Sequence, residues 1–165
     1  MSFLNKMIIS LFSFLPIIAL GQVHLEGSYD EINSVITVTM TNEIDVAGIQ
    51  FDLVDNPEAF NVTGVSTTTG FTFSQSEAGT VIGFSFTGDV ITAGTHTLCE
   101  VSISEMTASY TEVTFANGVV SGIDTDIAVD ITFGDAIIIG EMLPMSHVQV
   151  IHNSASPTVD VYIDG

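Results

Sequence analysis

Asp124, Asp126 and Asp130, in the stretch DTDIAVD, place three carboxylates within seven residues. The first two lie two residues apart, on one side of an extended segment, with the third farther along. Oxygen-rich loops of this kind hold hard cations, so the three carboxylates are candidate calcium ligands. The stretch has no Asp-x-Asp-x-Asp-Gly loop, and a solvated acidic turn is the competing reading. Zinc has less to work with. His24, His96, His147 and His152 fall in separate runs, without the i, i+4 helical or close-loop spacing that a zinc site requires.

Covalent chemistry finds no machinery. Cys99 is the only cysteine, so no disulfide can form within the chain. In HTLCEVSI it shares one side of an alternating run with Val101 and Ile103, the pattern of a small buried apolar side chain, and no neighbouring cation would lower its pKa. There is no Gly-x-Ser-x-Gly elbow. A glycosidase would need two carboxylates facing each other across a cleft, but 20 acids in 165 residues guarantee accidental pairs. The chain is expected to be no enzyme and to need no cofactor.

Charge narrows the partners. The formal charge is −19, and the single basic residue other than histidine is Lys6. Phosphate backbones are gripped by Lys and Arg, which excludes nucleic acid as a partner. The forked guanidinium that recognises carboxylates and phosphates is missing, and an anionic membrane surface would repel the chain. Salt bridges cannot hold the fold. Stability must come from apolar burial and hydrogen-bonded ladders, with self-repulsion eased by salt, which suits a saline exterior.

Lys6 itself belongs to a leader. It precedes the apolar stretch MIISLFSFLPIIAL, after which Ala19 and Gly21 stand at the −3 and −1 positions of a cut after Gly21. Residues 1–21 therefore read as a secretory signal peptide; a spanning helix needs roughly 20 apolar residues, and Pro16 interrupts this run. The mature chain is expected to be secreted or displayed at the cell surface, with no Lys or Arg and a net charge one unit more negative.

From residue 22 to 140 the apolar residues alternate with polar ones. Ile36, Val38 and Met40 oppose Thr37, Thr39 and Thr41, and the period of two recurs in Ile49/Phe51/Leu53, Ile82/Phe84/Phe86, Val113/Phe115 and Ile127/Val129/Ile131/Phe133. Turn signals separate the runs at Asp55-Asn56-Pro57, Thr69-Gly70, Ala78-Gly79, Ala93-Gly94, Asn117-Gly118 and Gly122. About nine strands at intervals of roughly 8 to 12 residues predict an all-β antiparallel sandwich or jelly roll. Pro144 marks 141–146 as a linker. Residues 147–165, SHVQVIHNSASPTVDVYIDG without its first serine, read as a β-hairpin around a Ser-Ala-Ser-Pro turn.

The order of landmarks resembles cohesin-type domains, which share a superfamily with certain cellulose-binding modules. The landmarks are Gly48-Ile49-Gln50-Phe51-Asp52-Leu53 leading into Asp55-Asn56-Pro57, then Phe84-Ser85-Phe86, Ala93-Gly94-Thr95 before Leu98, and Ile137-Ile138-Ile139-Gly140. Over about residues 23–140 the resemblance implies a nine-stranded jelly-roll sandwich with a non-catalytic, extracellular binding role. Cohesins bind dockerins through one sheet face; the cellulose-binding relatives present exposed aromatic strips. This chain has no Trp, and Tyr29, Tyr110 and Tyr162 are scattered. A protein-binding or spacer module is therefore expected, and a binder of soluble glycans through polar side chains is the alternative.

The terminal hairpin resembles the opening of the domain-of-unknown-function family numbered 4397, through Val148, Val150, His152, Pro157, Val159, Asp160, Val161, Tyr162, Asp164 and Gly165. A lone hairpin is marginal in water. The natural chain is expected to continue beyond Gly165 as a second extracellular β domain.

Overall fold

The structure, a computed structural model, describes residues 22–123 and 129–142. The leader at 1–21, Asp124 and Asp126, most of the 141–146 linker and the hairpin at 147–165 lie outside the described residues.

Among the described residues, ten strands form two five-stranded sheets. In chain order they are β1 (Val23–Asp30), β2 (Val35–Asn42), β3 (Val46–Asn56), β4 (Val62–Ser66), β5 (Thr72–Gln75), β6 (Thr80–Phe84), β7 (Gly94–Ile103), β8 (Tyr110–Gly122), β9 (Ile131–Phe133) and β10 (Ile137–Gly140). The first sheet runs β4-β7-β2-β1-β9 and the second β10-β8-β3-β6-β5. The tenth strand beyond the expected nine fits β5, a short TFSQ segment whose outward side is polar and gives little alternation to read. Pairing is antiparallel except between β1 and β9. There the chain joins the edge of the first sheet, and four residues later β10 joins the edge of the second, which stitches the layers together.

The core is what the alternation demands. Ile36, Val38 and Met40 of β2 are fully buried, as are Phe51 of β3 and Val113 of β8 or nearly so for Ile49, Leu53 and Phe115. Phe51 meets Phe115 edge-on at 5.6 Å, and Phe115 stacks on Phe133 at 5.8 Å. Where alternation fails, a bulge is the cause. Val38 pairs with Cys99 but Thr39 with Thr97, so Leu98 is extra and both Leu98 and Cys99 turn inward.

Two sequence readings are corrected. Ile82, Phe84 and Phe86 do not form the buried side of β6; Val81 and Gly83 do, while Ile82 and Phe86 are exposed. The position of Gly83 is filled from β5, since a Cβ there would lie 2.4 Å from the Phe73 ring. Asn117-Gly118 is no turn between strands but a bulge inside β8: Gln50 pairs with Val119 and Asp52 with Ala116, with Asn117 in the left-handed region at φ 48°. Gly118 lets Phe133 and Ile131 approach to within 3 Å of where its Cβ would stand.

The one acid–base side-chain contact among the described residues is His24 Nε2 to Glu26 Oε1 at 3.5 Å, an ion pair only when the imidazole is protonated. With a charge of −19 and no compensating cations in the sandwich, added salt should stabilise the fold. Raising NaCl from about 10 mM to about 500 mM is expected to raise the melting temperature by roughly 4–8 °C, equivalent to about 1 kcal/mol. A melting temperature that stays flat or falls, followed by circular dichroism, would contradict a fold limited by self-repulsion.

Candidate functional site

The outer faces of the two sheets differ in chemistry. On the first, β2 and β7 present Thr37, Thr39, Thr41, Thr95 and Thr97, with the Thr41 and Thr95 hydroxyls 3.1 Å apart across the strands. No strand of that sheet contributes a large exposed apolar side chain among the described residues. On the second, the register places Ser74, Ile82, Gln50 and Val119 in one outward row and Thr72, Phe84, Gly48 and Ser121 in the next. Phe86, just past β6 and 80% exposed, meets the Phe84 ring edge-on at 4.7 Å. Val54 and Ile138 add exposed apolar groups toward the far end, where Ile138 pairs with Glu112. Exposed apolar residues scattered singly are ordinary; gathered on one face of a sheet they set that face apart from the other.

Rigid neighbours hold this face. Asn117 Nδ2 donates to Asp52 Oδ2 at 2.7 Å, tying the β8 bulge to β3, and the other Asp52 oxygen is buried with no hydrogen-bond partner among the described residues. The loop carrying Phe86 is closed by hydroxyls: the Thr87 and Asp89 amides donate to Ser85 Oγ at 3.2 and 3.0 Å, and Thr87 Oγ1 donates to Asp89 Oδ2. Sequence reading missed this face because it assigned Ile82, Phe84 and Phe86 to the core. The signal that could have found it is Gly83, a residue that cannot fill an inward position alone, flanked by large apolar residues.

Of the residues singled out from the sequence for chemistry, only Asp130, His24, His96 and Cys99 are among the described residues. Asp130 is exposed, and its backbone carbonyl accepts the Val23 amide at 3.0 Å; Asp124 and Asp126 lie outside the described residues. Among the described residues no three His, Cys, Asp or Glu side chains group as metal ligands. His24 Nδ1 lies 2.9 Å from Thr132 Oγ1, while His96 Nε2 lies 2.8 Å from the Thr92 carbonyl, so they serve separate strands. His147 and His152 lie outside the described residues.

The cavities offer little reactivity. One of about 330 Å³ lies at an end of the sandwich between Glu43, Ile44, Asp45 and Val129, and Asp45 Oδ1 is already committed to the Ala93 amide at 3.0 Å. Another, of about 480 Å³, is lined by threonines and His96. A third, of about 280 Å³, reaches Cys99 beside Thr67 and Thr97. Burial, and then the charge of Glu100, push the Cys99 thiol up to about 12. Cys99 is therefore expected to resist a disulfide reagent at about pH 8 in the native protein and to react within minutes once urea unfolds it. Rapid stoichiometric labelling without denaturant would show that the thiol is open to solvent.

Two five-stranded sheets closed over one apolar core, with β9 parallel to β1 and β10 crossing to the other layer, define a jelly-roll sandwich of the cohesin kind. Solved structures with this fold include the seventh type I cohesin of ScaB from Pseudobacteroides cellulosolvens, at 14% identity and TM-score 0.51, covering 77% of this chain and 97% of that one. A chain of a type I cohesin–dockerin complex from Clostridium thermocellum aligns at 12% identity and TM-score 0.52, covering 74% and 95%. A non-cellulosomal cohesin from the archaeon Archaeoglobus fulgidus aligns at 15% identity and TM-score 0.51, covering 73% and 92%. No family model and no curated protein matches the chain.

Proposed function

We propose that this chain is a non-catalytic protein-binding module that works outside the cell, as a scaffolding or adhesion unit, and that it docks its partner on the outer face of the second sheet. The observation that carries this reading is the concentration of Ile82, Phe84, Phe86 and Val119 on that face, opposite a threonine-covered one. Interface centres favour aromatic and apolar groups on a preorganised surface, and a sheet face moves little on binding. The cohesin–dockerin complex among the structural neighbours is a precedent for protein docking on this fold. The leader pattern at 1–21 supports export.

The test is capture of secreted protein by the full chain and by the double substitution Phe86→Ala/Val119→Asp. Both positions are exposed, so the fold should be kept within about 0.5 kcal/mol each. Loss of a central anchor is worth about 2 kcal/mol or more, so retention of the partner is expected to fall at least about tenfold. Equal capture by both proteins would place docking elsewhere. A second reading, a soluble-glycan binder, draws on Phe86 standing beside the hydroxyls and carboxylate of Ser85, Thr87 and Asp89. Glycan-array binding abolished by Phe86→Ala, with no protein captured, would favour it.

A further inference from the structure

The outer face of the second sheet sets Ile82, Phe84 and Val119 among serine, threonine and Gln50, and it carries acids but no base. Glu112 lies directly across from Ile138. Asp52 lies one outward position along β3 from Gln50, which Ile82 and Val119 flank. Asp89 closes the loop that presents Phe86. The only Lys or Arg in the chain is Lys6, and the histidines among the described residues, His24 and His96, are on β1 and β7 of the other sheet.

Covering this face with a neutral partner would strip water from carboxylates and give nothing back, a cost that an opposing Lys or Arg offsets. A second copy of the chain would set acid against acid. We infer that the face takes a polypeptide whose contact surface has an apolar centre rimmed by Lys or Arg. Resting on the docking-face reading above, this inference adds the charge of the partner. The apolar centre supplies contact, and the rim supplies steering: a strongly acidic chain draws a cationic partner from several ångströms away, and salt shortens that reach. The Phe86 ring is 80% exposed, and aromatic rings attract guanidinium groups.

The probes are synthetic amphipathic helices of about 18 residues, five turns, sharing one leucine stripe. One is flanked by Arg, one by Glu, and a third carries the Arg residues without the leucines. Each is titrated into the isotopically labelled full chain at about 20 mM and about 300 mM NaCl, and amide shifts are mapped. The Arg-flanked helix is expected to shift Gln50, Ile82, Phe84 and Val119, and to bind at least about tenfold more weakly at the higher salt. The double substitution Asp89→Asn/Glu112→Gln should weaken it about threefold or more, whereas Glu26→Gln/Glu100→Gln on the opposite sheet should change it less than about twofold. Equal binding of the Glu-flanked helix to the same face would overturn the charge of the partner and leave the docking face standing. Identical shifts with the Arg peptide that lacks leucines would reduce the effect to counter-ion attraction and overturn the inference. Shifts confined to the threonine face, or none at millimolar peptide, would overturn both readings.

Discussion

Asn42→Asp is expected to cost the sandwich at least about 3 kcal/mol at pH 7, although it exchanges one amide nitrogen for oxygen. Asn42 ends β2 in a position only 3% exposed. Its Nδ2 lies 2.7, 3.0 and 3.3 Å from the carbonyl oxygens of Ile44, Thr92 and Ile91, so its two hydrogens serve three acceptors, one of them shared. Those carbonyls belong to the turn into β3 and to the segment that enters β7, where Ile91 also exchanges two backbone hydrogen bonds with Val46. The amide therefore clamps the two sheets together at one end of the sandwich. A carboxylate of the same shape would present negative charge to three carbonyl oxygens with no cation nearby to answer it. The urea midpoint should fall by about 2 M, given a slope of about 1–3 kcal/mol per molar. The deficit has a direction in pH. In the fold the substituted carboxyl is held neutral, where its O–H can still satisfy one carbonyl, while in the unfolded chain it ionises near pH 4, so the folded state binds the extra proton. Relative to the native sequence, the deficit should be smallest and flat below about pH 4 and grow above it by about 1.4 kcal/mol per unit until the folded carboxyl ionises. A loss under 1 kcal/mol at pH 7 would mean that water reaches these carbonyls.

Asn42 also marks where the sequence stops being informative. It stands in phase with Ile36, Val38 and Met40, but its hydrogen-bond partners Ile91 and Thr92 are 49 and 50 residues along the chain. Alternation reports which side of a strand is apolar, and a clamp made of distant carbonyls leaves no trace in it. Strand content, the two-layer architecture and most of the core were legible because the period of two is enforced residue by residue wherever one face of a sheet is buried. Two of the cohesin-like landmarks land in strands, Gly48 to Leu53 in β3 and Ile137 to Gly140 in β10, whereas Phe84-Ser85-Phe86 runs off the end of β6.

The candidate site was the part that pattern reading inverted, and the inversion has a physical origin. An apolar residue facing a partner and one facing the core look alike in one dimension. In VIGFSF the outward phase carries the larger side chains, because the inward phase needs only Val81 and a glycine roofed by Phe73. Asn117-Gly118 misled for a related reason: both residues suit a left-handed backbone, which a hairpin turn and a β-bulge require equally. Departures from simple pattern tend to gather where a surface serves something other than folding, and here the misread strand ends in half-buried Phe84, against which exposed Phe86 packs from the following loop.

Phe51→Ala and Phe86→Ala turn that distinction into a measurement, since the alternating pattern assigns both phenylalanines to the core. Phe51 is fully buried, paired across from Val81 and set edge-on to Phe115 at 5.6 Å, in the middle of the inner face of the second sheet. Removing its ring forfeits the burial and leaves a cavity that two hydrogen-bonded sheets cannot collapse to fill, so about 3–5 kcal/mol should be lost. Phe86 is 80% exposed and touches Phe84 from outside the core. The same truncation there should change stability by no more than about 0.5 kcal/mol. In urea unfolding the first variant should melt about 2 M earlier than the native chain, and the second should overlay it. With no disulfide or ion-pair network to share the load, a single core ring represents a large part of a total stability of about 5–15 kcal/mol. Comparable losses from the two substitutions would mean that Phe86 is buried in solution and that the outward phase of β6 is wrong, and the docking face would fall with it.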